Sequence, residues 1–343
     1  MHQEKAVKIK ENAISLGFEN CGIINVSDMN DYADKLDERI KHVPENKRHL
    51  EHFYDFAHLN KNYPWAKSIV VCVSQYGKFH IPEHFQGLIG KSYLVDSRKD
   101  AQADIYIAGS ILEKYMEELG LKQTTQRAFG ITSLRWAAHK AGLGLIRKNN
   151  FLYTENGSWV RMDAWLIDEE LTLIDNVKLK SCPDNCNKCI ENCPTSSLMA
   201  PYIMDRTLCV SHITTWEGWD LTTDKNSQKL GNWIYGCDVC QDVCPSNHKK
   251  WVDEEEFPNL EKFGQLMSLE KIVAMDYETL ENIIQPKFWY IKKENVWKWK
   301  MNALNAMLND YKDEYSEYID LALNDAHETV RKMAAWVKEK AAS

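Results

Sequence analysis

The sequence predicts an α+β protein with three parts, and three observations support this. Strand-like and helix-like segments are interspersed over residues 1–175, which is typical of an α/β domain. Eight of the ten cysteines lie between Cys182 and Cys244, within a segment, 176–250, that shows little continuous periodicity. Residues 251–343 open with an acidic run and then follow a helical pattern. The 343 residues suffice for these parts, because one domain typically takes about 100–200.

The elements of the first part follow from apolar spacing and breaker residues. Apolar residues from Ala6 to Leu16 repeat with helical spacing and stop at Gly17, which predicts a helix within residues 1–20. Ser68–Ser74 is a β-branched run without a helical period, and it predicts a strand covered on both faces. The other predicted elements are a strand at 21–25, helices at 104–119 and 134–140, and strand-like stretches within 159–173.

The C-terminal part contains two segments that resemble successive units of a HEAT-type helical repeat. They begin at Asn302 and Asp325. Two units do not distinguish a repeat array from a plain helical cap, and both interpretations stay open.

Composition and charge exclude several classes of protein. With 44% hydrophobic and 27% charged residues, the chain is not a wholly disordered one. No window offers 18 uncharged apolar residues, and the first residues lack the apolar core of a secretory signal. The expectation is therefore a cytoplasmic protein with no membrane span. A net charge of −8 argues against general polyanion binding.

The cysteine spacing predicts two iron–sulfur clusters. The run C-x3-C-x2-C-x3-C-P begins at Cys182, and C-x2-C-x3-C-P begins at Cys237. The bacterial ferredoxin run is C-x2-C-x2-C-x3-C-P, in which the last cysteine ligates the other cluster. The crossed assignment gives cluster 1 to Cys182, Cys186, Cys189 and Cys244, and cluster 2 to Cys193, Cys209, Cys237 and Cys240.

Two alternatives concern the metal and the electrons. Eight thiolates also suit two structural zinc sites, although the repeated C-x2-C-x3-C-P is a cubane feature. A ferredoxin needs only the cluster module, and here about 175 residues precede it. The electrons are therefore expected to reach an internal acceptor; a ferredoxin-like electron carrier is the other interpretation. Gly142-Leu-Gly144 lacks the third glycine and the preceding strand of a dinucleotide site. Cys21 and Cys72 are expected to be buried as small apolar residues.

Several motifs resemble the epoxyqueuosine reductase family and, more distantly, the reductive dehalogenases. They are Ala141-Gly-Leu-Gly144-Leu-Ile-Arg-Lys148-Asn149, Gly157-Ser158-Trp159, the cysteine runs, Ala200-Pro201-Tyr202 and Tyr235-Gly-Cys-Asp-Val-Cys. The resemblance implies a cobalamin-binding reductase domain, two 4Fe–4S clusters and a HEAT-like tail that helps to grip tRNA. It also implies a base-off corrinoid without a protein histidine ligand, and an external donor of the ferredoxin or flavodoxin type. The cofactor-binding residues that it implies are Gly142, Gly144, Arg147, Lys148, Asn149, Ser158 and Trp159.

The sequence departs from the family where the proton donor is expected. The family's D-x-A-P-x-x-E-R stretch reads Ala128 to Arg135 here, and Ala128 replaces the catalytic aspartate. A missing acid matters, because opening an epoxide needs a proton on oxygen. Either another group supplies the proton, or this is a paralogue with a different substrate, which we favour. The candidate catalytic residues are Tyr76, Tyr93, Asp96, Tyr153 and Arg135.

One basic and aromatic stretch has two interpretations, of which one is contact with RNA. Pro286–Lys300 interleaves five lysines with aromatic residues, which suits contacts with phosphates and stacking on bases. The other interpretation is a helix that buries Trp297 while its lysines stay in water. The negative net charge weighs against strong tRNA binding.

Overall fold

A four-stranded sheet forms the centre of the N-terminal part. The computed structural model describes residues 2–342, and the sheet has the strand order β1-β2-β6-β3. Two-stranded sheets are formed by β4 with β5 and by β7 with β8. The strands are β1 (Asn20–Asn25), β2 (Ser68–Gln75), β3 (Gln123–Thr125), β4 (Leu145–Ile146), β5 (Leu152–Tyr153), β6 (Val160–Ile167), β7 (Leu198–Ala200) and β8 (Ile203–Met204).

Every pair in the central sheet is antiparallel, and Cys72 of β2 lies between Cys21 of β1 and Asp163 of β6. The prediction of an α/β domain, in the strict sense of a parallel sheet, is therefore wrong, and the part is α+β. The physical reason is that interspersed helices do not fix strand direction when the connections are long.

Helices cover both faces of this sheet, and they are α1 (His2–Ser15), α2 (Tyr32–His42), α3 (Asp104–Glu118) and α4 (Leu134–Lys140). The longer helices of the rest of the chain are α5 (Val210–Thr215), α6 (Leu269–Ala274), α7 (Trp297–Asn309), α8 (Ser316–Ala322) and α9 (Glu328–Ala341). Short α-helical segments lie at Lys47–Leu50, Leu59–Asn62, Lys91–Leu94, Lys188–Glu191, Val239–Asp242, Leu260–Gly264, Tyr277–Thr279 and Gln285–Lys287.

Alternate residues of the central strands enter two different cores. Val70, Cys72 and Trp165 pack with α1 and α3 on one face. Val71 and Leu166 pack with α2 and α4 on the other. The expectation that β2 is covered on both faces is confirmed, and Cys21 and Cys72 are fully buried free thiols, as expected.

A third core joins the C-terminal helices to the middle of the chain. Tyr76, Ile89 and Tyr235 share this core with residues of α6 to α9. Helix α7 is its axis, because it packs against both α6 and α9 and nearly all of its residues are buried. The C-terminal helices therefore pack against the segments that lead into and out of the cysteine module.

Candidate functional site

Four cysteines surround one cavity in the cysteine module. The cavity has a volume of about 20 Å³, and its wall includes Cys182, Cys186, Cys189 and Cys244. Burial raises the pKa of Cys189, and the thiolates of the same set raise it further. The structure thus gathers the four residues that the spacing assigns to cluster 1, including the one that crosses over from the second run.

The other four cysteines form a second set. Burial raises the pKa of Cys237 and Cys240, and the thiolates of Cys209 and Cys193 raise both further. Thiolates raise one another's pKa in this way only when they are near, so the four cysteines lie together in one region. The chain therefore offers two groups of four cysteines, the number that two cubane clusters require.

The loop between β4 and β5 braces the cluster-1 site. Lys148 Nζ donates hydrogen bonds of 2.9–3.0 Å to the carbonyl oxygens of Pro183, Asp184 and Cys186. Asn149 Nδ2 donates to the carbonyl oxygen of Cys240 at 3.0 Å. Arg147 and Lys148 also line the cluster-1 cavity. These residues, which the resemblance assigned to cofactor binding, lie in contact with the cysteine module.

The remaining residues of that assignment also hold the first part against the module. Gly142 has a φ of 71°, and a Cβ there would overlap the carbonyl group of Asp175, so the turn requires glycine. Gly144 passes close to the carbonyl oxygen of Tyr153. The hydroxyl of Ser158 accepts hydrogen bonds of 2.8 Å from the amides of Gln241 and Asn247, and Trp159 packs edge-on against Trp251.

Aromatic side chains lie around the loop that carries Ala128. Arg98 Nη1 donates to the carbonyl oxygen of Ala128 at 2.9 Å. The next residue, Phe129, leaves 52% of its surface exposed, and its ring lies 5.1 Å from that of Trp289 and 6.1 Å from that of Tyr290. No carboxyl group stands at Ala128 itself, so a proton must come from elsewhere.

Asp96 does not suit the role of proton donor. Its carboxylate accepts two hydrogen bonds from the Arg98 side chain and lies 3.2 Å from Arg161 Nη1. Burial alone would raise the pKa of Asp96, but Arg161 and Arg98 outweigh it and hold the pKa well below its usual range. The group therefore stays ionised and acts as the anchor of two guanidiniums.

The three tyrosine candidates differ in access. Tyr76 and Tyr153 are buried, at 6% and 0% exposure, and burial raises the pKa of both. Tyr93 is partly exposed, and its hydroxyl lies 2.8 Å from the Ser211 hydroxyl, beside Cys209 of the second set. Of the three, Tyr93 alone has both access and proximity to a cluster site.

Arg135 is exposed and has two cationic neighbours. Desolvation by the protein around it lowers the pKa of Arg135, and the Arg39 and Arg206 guanidiniums lower it further. Protein therefore surrounds this side chain, although solvent still reaches it. Arg206, in turn, is near enough to Cys209, Tyr93 and Tyr290 for these groups to raise its pKa against the lowering by burial. We call this region, defined by Arg135, Arg206, Cys209, Tyr93 and Tyr290, the arginine cleft.

Sequence reasoning missed several residues of this region. Arg98 and Arg206 stand in no motif, and Tyr290 was noted only as part of the stretch Pro286–Lys300; the three interact through chain segments far apart in sequence. A second cavity, of about 10 Å³, is lined by Arg98, Arg127 and Asp163, among other residues. Burial raises the pKa of Asp163.

The basic and aromatic stretch does not form a lysine-rich surface. Lys298 is fully buried, and its Nζ contacts the carbonyl oxygens of Ile213, Glu217 and Gly218. Lys300 is 5% exposed and pairs with Asp325 at 2.8 Å. Trp297 is buried, as the helix interpretation expects, but these two lysines do not stay in water. They serve the packing of α7.

The helices of the structure were compared with the requirements of a membrane span. Within residues 2–342, no helix combines the length and the apolar character that crossing a bilayer requires.

Comparison with known proteins defines the class first. Residues 182–247 match the family model described as a 4Fe–4S double cluster binding domain. This match favours iron over zinc for the two thiolate sites. The chain is thus an iron–sulfur protein in which a double-cluster module is joined to a larger mixed helix and strand structure.

Relatives and solved structures then give the family. The epoxyqueuosine reductase of Cellulophaga algicola is 30% identical over 77% of this chain and 85% of the relative. That of Prochlorococcus marinus is 28% identical over 86% of this chain and 95% of the relative. A crystal structure of epoxyqueuosine reductase with an epoxyqueuosine-modified tRNA-Tyr stem loop has a TM-score of 0.78 at 22% identity, over 97% of this chain and 89% of that one. The chain belongs to the epoxyqueuosine reductase family of oxidoreductases.

Proposed function

We propose that this chain is a corrinoid-dependent reductase, fed by two 4Fe–4S clusters, whose substrate differs from epoxyqueuosine. The observation that supports it most is the position of Cys209, which belongs to the second thiolate set and lies beside the arginine cleft. Clusters transfer single electrons, so a cluster at the wall of a cleft suits reduction of a group bound there.

The lining of the cleft, rather than the enclosed cavities, suits a corrinoid. The two cavities, of about 20 and 10 Å³, are too small, because even drug-sized ligands take about 300–1,000 Å³. The open cleft presents the flat rings of Tyr93 and Tyr290 and the guanidiniums of Arg135 and Arg206. Flat apolar walls fit a macrocycle, and guanidiniums donate hydrogen bonds to its amide groups. When bound, the corrinoid would combine single electrons for a two-electron reduction.

The choice of a different substrate rests on the proton. Ala128 offers none, and the fixed ionisation of Asp96 removes that carboxyl group as a donor. Tyr93 is the remaining accessible candidate from the sequence. Since burial raises its pKa, Tyr93 keeps its proton at neutral pH and is a weak general acid. An epoxide oxygen, which benefits from a stronger acid, is therefore the less suitable substrate.

Cluster 1 is the proposed entry point for electrons. Its cavity wall contains Arg147, Lys148 and the exposed Lys188. A positively charged wall favours docking of an acidic one-electron carrier, such as a ferredoxin or a flavodoxin. The ten free cysteines agree with a reducing compartment, so we also propose a cytoplasmic location.

Anaerobic reconstitution tests this function. Protein refilled with iron and sulfide is incubated with cobalamin, passed through a desalting column and analysed for iron, cobalt and visible absorbance. We expect brown protein with about eight iron atoms per chain and about one retained cobalt. Iron without cobalt would favour the ferredoxin-like carrier, and a colourless zinc protein would contradict the cluster assignment.

A separate titration addresses tRNA. One solved relative is described with a tRNA stem loop, and that statement concerns the relative. Filter binding of tRNA to this protein is measured from low to high salt. We expect weak binding, because Lys298 and Lys300 are buried; tight and salt-dependent binding would instead support tRNA as the substrate.

A further inference from the structure

Two free cysteines lie directly opposite each other on neighbouring strands of the central sheet. Cys21 of β1 and Cys72 of β2 are register partners, and both side chains belong to the core that α1 and α3 cover. Both residues are 0% exposed. Burial as small apolar residues explains each thiol alone, but it does not require that the two face each other across the ladder.

The backbone hydrogen bonds show which kind of antiparallel pair the two cysteines form. Ile23 exchanges both of its backbone hydrogen bonds with Leu173, each at 2.8 Å, so its polar groups point away from β2. Cys21 lies two residues earlier on the same strand, so its backbone groups also point away from β2. Cys21 and Cys72 therefore form a non-hydrogen-bonded pair, in which the Cα atoms are about 4.5 Å apart and the side chains are closest.

This kind of pair suits a disulfide. A disulfide bond joins residues whose Cα atoms lie about 4.4–6.8 Å apart, and a non-hydrogen-bonded pair falls within that range without a shift of the strands. The contact between the thiols agrees with the register. Burial raises the pKa of the Cys72 thiol well above its usual range, and a hydrogen bond with the Cys21 thiol raises it further.

The position of the pair in the sheet provides a route for reagents. Strand β1 is at one end of the strand order, and an edge strand can open locally at a lower free energy than the whole domain. On the other side of Cys72, its register partner Asp163 is partly exposed and lines the cavity of about 10 Å³. Solvent therefore reaches the residue next to Cys72, and opening of β1 exposes both thiols.

We propose that Cys21 and Cys72 are a redox-sensitive pair, which a small disulfide such as oxidised glutathione converts into a cross-strand disulfide. One cysteine thiolate attacks the oxidant and releases a first glutathione; the second cysteine then attacks the mixed disulfide and releases another. The two thiols lose two protons and two electrons, the Sγ–Sγ bond forms, and one oxidant molecule becomes two thiols. The bond closes a loop of about 50 residues and fastens the edge strand β1 to β2. The inference does not rest on the proposed reductase function.

Peptide mapping tests the pair. Cluster-reconstituted protein is incubated anaerobically with oxidised glutathione, so that the cluster cysteines stay ligated, and is then unfolded in acid with N-ethylmaleimide, digested and analysed by mass spectrometry. We expect peptides joined through Cys21 and Cys72, formed slowly because both thiols are buried, and formed faster in urea below the unfolding midpoint. Both thiols still blocked by the maleimide in that urea, or carrying glutathione without a link, would overturn the proposal.

Unfolding in urea separates this link from oxidation elsewhere. The oxidised protein should unfold at a higher urea concentration than the reduced protein, and dithiothreitol should restore the original midpoint. Cys72→Ala is the matched control, and its midpoint should not respond to oxidised glutathione; Cys21→Ser serves the same purpose if Cys72→Ala fails to fold. An equal shift in the control would contradict the proposal. Neither measurement depends on cobalamin, so failure here is distinct from failure of the proposed function.

Discussion

Arg98 ties the loop at Ala128 to the buried carboxylate of Asp96. Its Nη1 donates to the Ala128 carbonyl oxygen at 2.9 Å, while its Nη2 donates to Asp96 at 2.6 Å. The guanidinium also lies 4.9 Å from the ring centre of Trp289. The Ala128 loop, where the family's acid is absent, is therefore held by the Arg98 guanidinium, which the Asp96 carboxylate fixes in place. This contact connects the position of the missing acid to the rest of the site.

Replacing Asp96 should destabilise the fold. Asp96→Asn leaves the guanidiniums of Arg98 and Arg161 without their anion, and we expect a loss of about 3–5 kcal/mol in the free energy of unfolding. Asp34→Asn, an exposed position on α2, is the matched control and should change little. Urea unfolding at pH 7 measures both; a loss below about 1 kcal/mol in Asp96→Asn would contradict the anchoring role.

The lowered pKa of Asp96 predicts that the stability difference between the unmodified protein and Asp96→Asn depends on pH. Because the pKa of Asp96 is depressed in the folded state, its contribution is complete above the unfolded pKa of about 3.9 and declines as pH falls toward the folded value. The stability difference between Asp96→Asn and the unmodified protein should stay constant from pH 8 to about 5 and shrink below about 4. A difference that already shrinks near neutral pH would show that Asp96 is not held ionised.

The two thiolate sets should lose iron independently. Cys244→Ala removes one ligand from the cluster-1 set, and the iron content should fall from about eight to about four atoms per chain after reconstitution. Cys21→Ala removes a buried thiol outside both sets and should keep all of the iron. If both variants retain full iron, the assignment of Cys244 to a cluster is incorrect.

Lys148 should control how long cluster 1 survives. In Lys148→Met the stem keeps its length, but the three donations to the first cysteine loop are lost. We expect faster release of iron to a chelator, because each lost hydrogen bond contributes about 1 kcal/mol. Lys188→Met lies at the same cavity without such bonds and serves as the control. Identical release rates would show that the loop does not brace the site.

An acid placed at position 128 should restore epoxide chemistry. Ala128→Asp supplies a carboxyl group where the family carries one, and turnover of epoxyqueuosine should rise by about 10²–10⁴-fold over the unmodified protein. Ala128→Asn has the same shape without a transferable proton. Turnover that is equal in both variants, or already high before substitution, would argue against a paralogue with another substrate.

Tyr93 should matter for activity in a way that Tyr76 does not. Tyr93→Phe removes the hydroxyl of the partly exposed Tyr93, near Cys209, and once a substrate is found its reduction should slow by about 10²–10⁴-fold. Tyr76→Phe alters a buried hydroxyl between Trp159 and Trp251 and should leave the rate near its original value. A Tyr93→Phe enzyme with normal kcat and an unchanged pH profile would exclude Tyr93 as the donor.

The sequence predicted the local features well and the long-range ones poorly. Spacing alone placed the cysteines in two sets, and breaker residues such as Gly17 located the end of α1. Strand direction was missed, because a long connection does not reveal whether the chain returns parallel or antiparallel. The burial of Lys298 was missed for a related reason. Its partners Ile213 and Gly218 lie about 80 residues away, and nothing in the sequence of Pro286–Lys300 indicates which lysine contacts them.

The residues of the candidate site also divide into those that a sequence motif reveals and those that only tertiary contacts reveal. The glycine at position 142 was found through its motif, and the structure explains it by the close approach of Asp175. Arg206 belongs to no motif, and Tyr290 becomes its neighbour only through tertiary packing. A residue whose role depends on tertiary contact leaves no periodic signal.

The most direct test is an anaerobic electron-transfer measurement on the reconstituted protein with cobalamin bound. A reduced ferredoxin or flavodoxin is added, and the spectra of the clusters and of the cobalt are followed together. We predict that the cobalt is reduced in the unmodified protein and that the Cys209→Ala variant, with cobalamin still bound, leaves it oxidised. Cobalamin that fails to bind, or cobalt reduced equally well without Cys209, would contradict a cleft supplied with electrons by the second cluster.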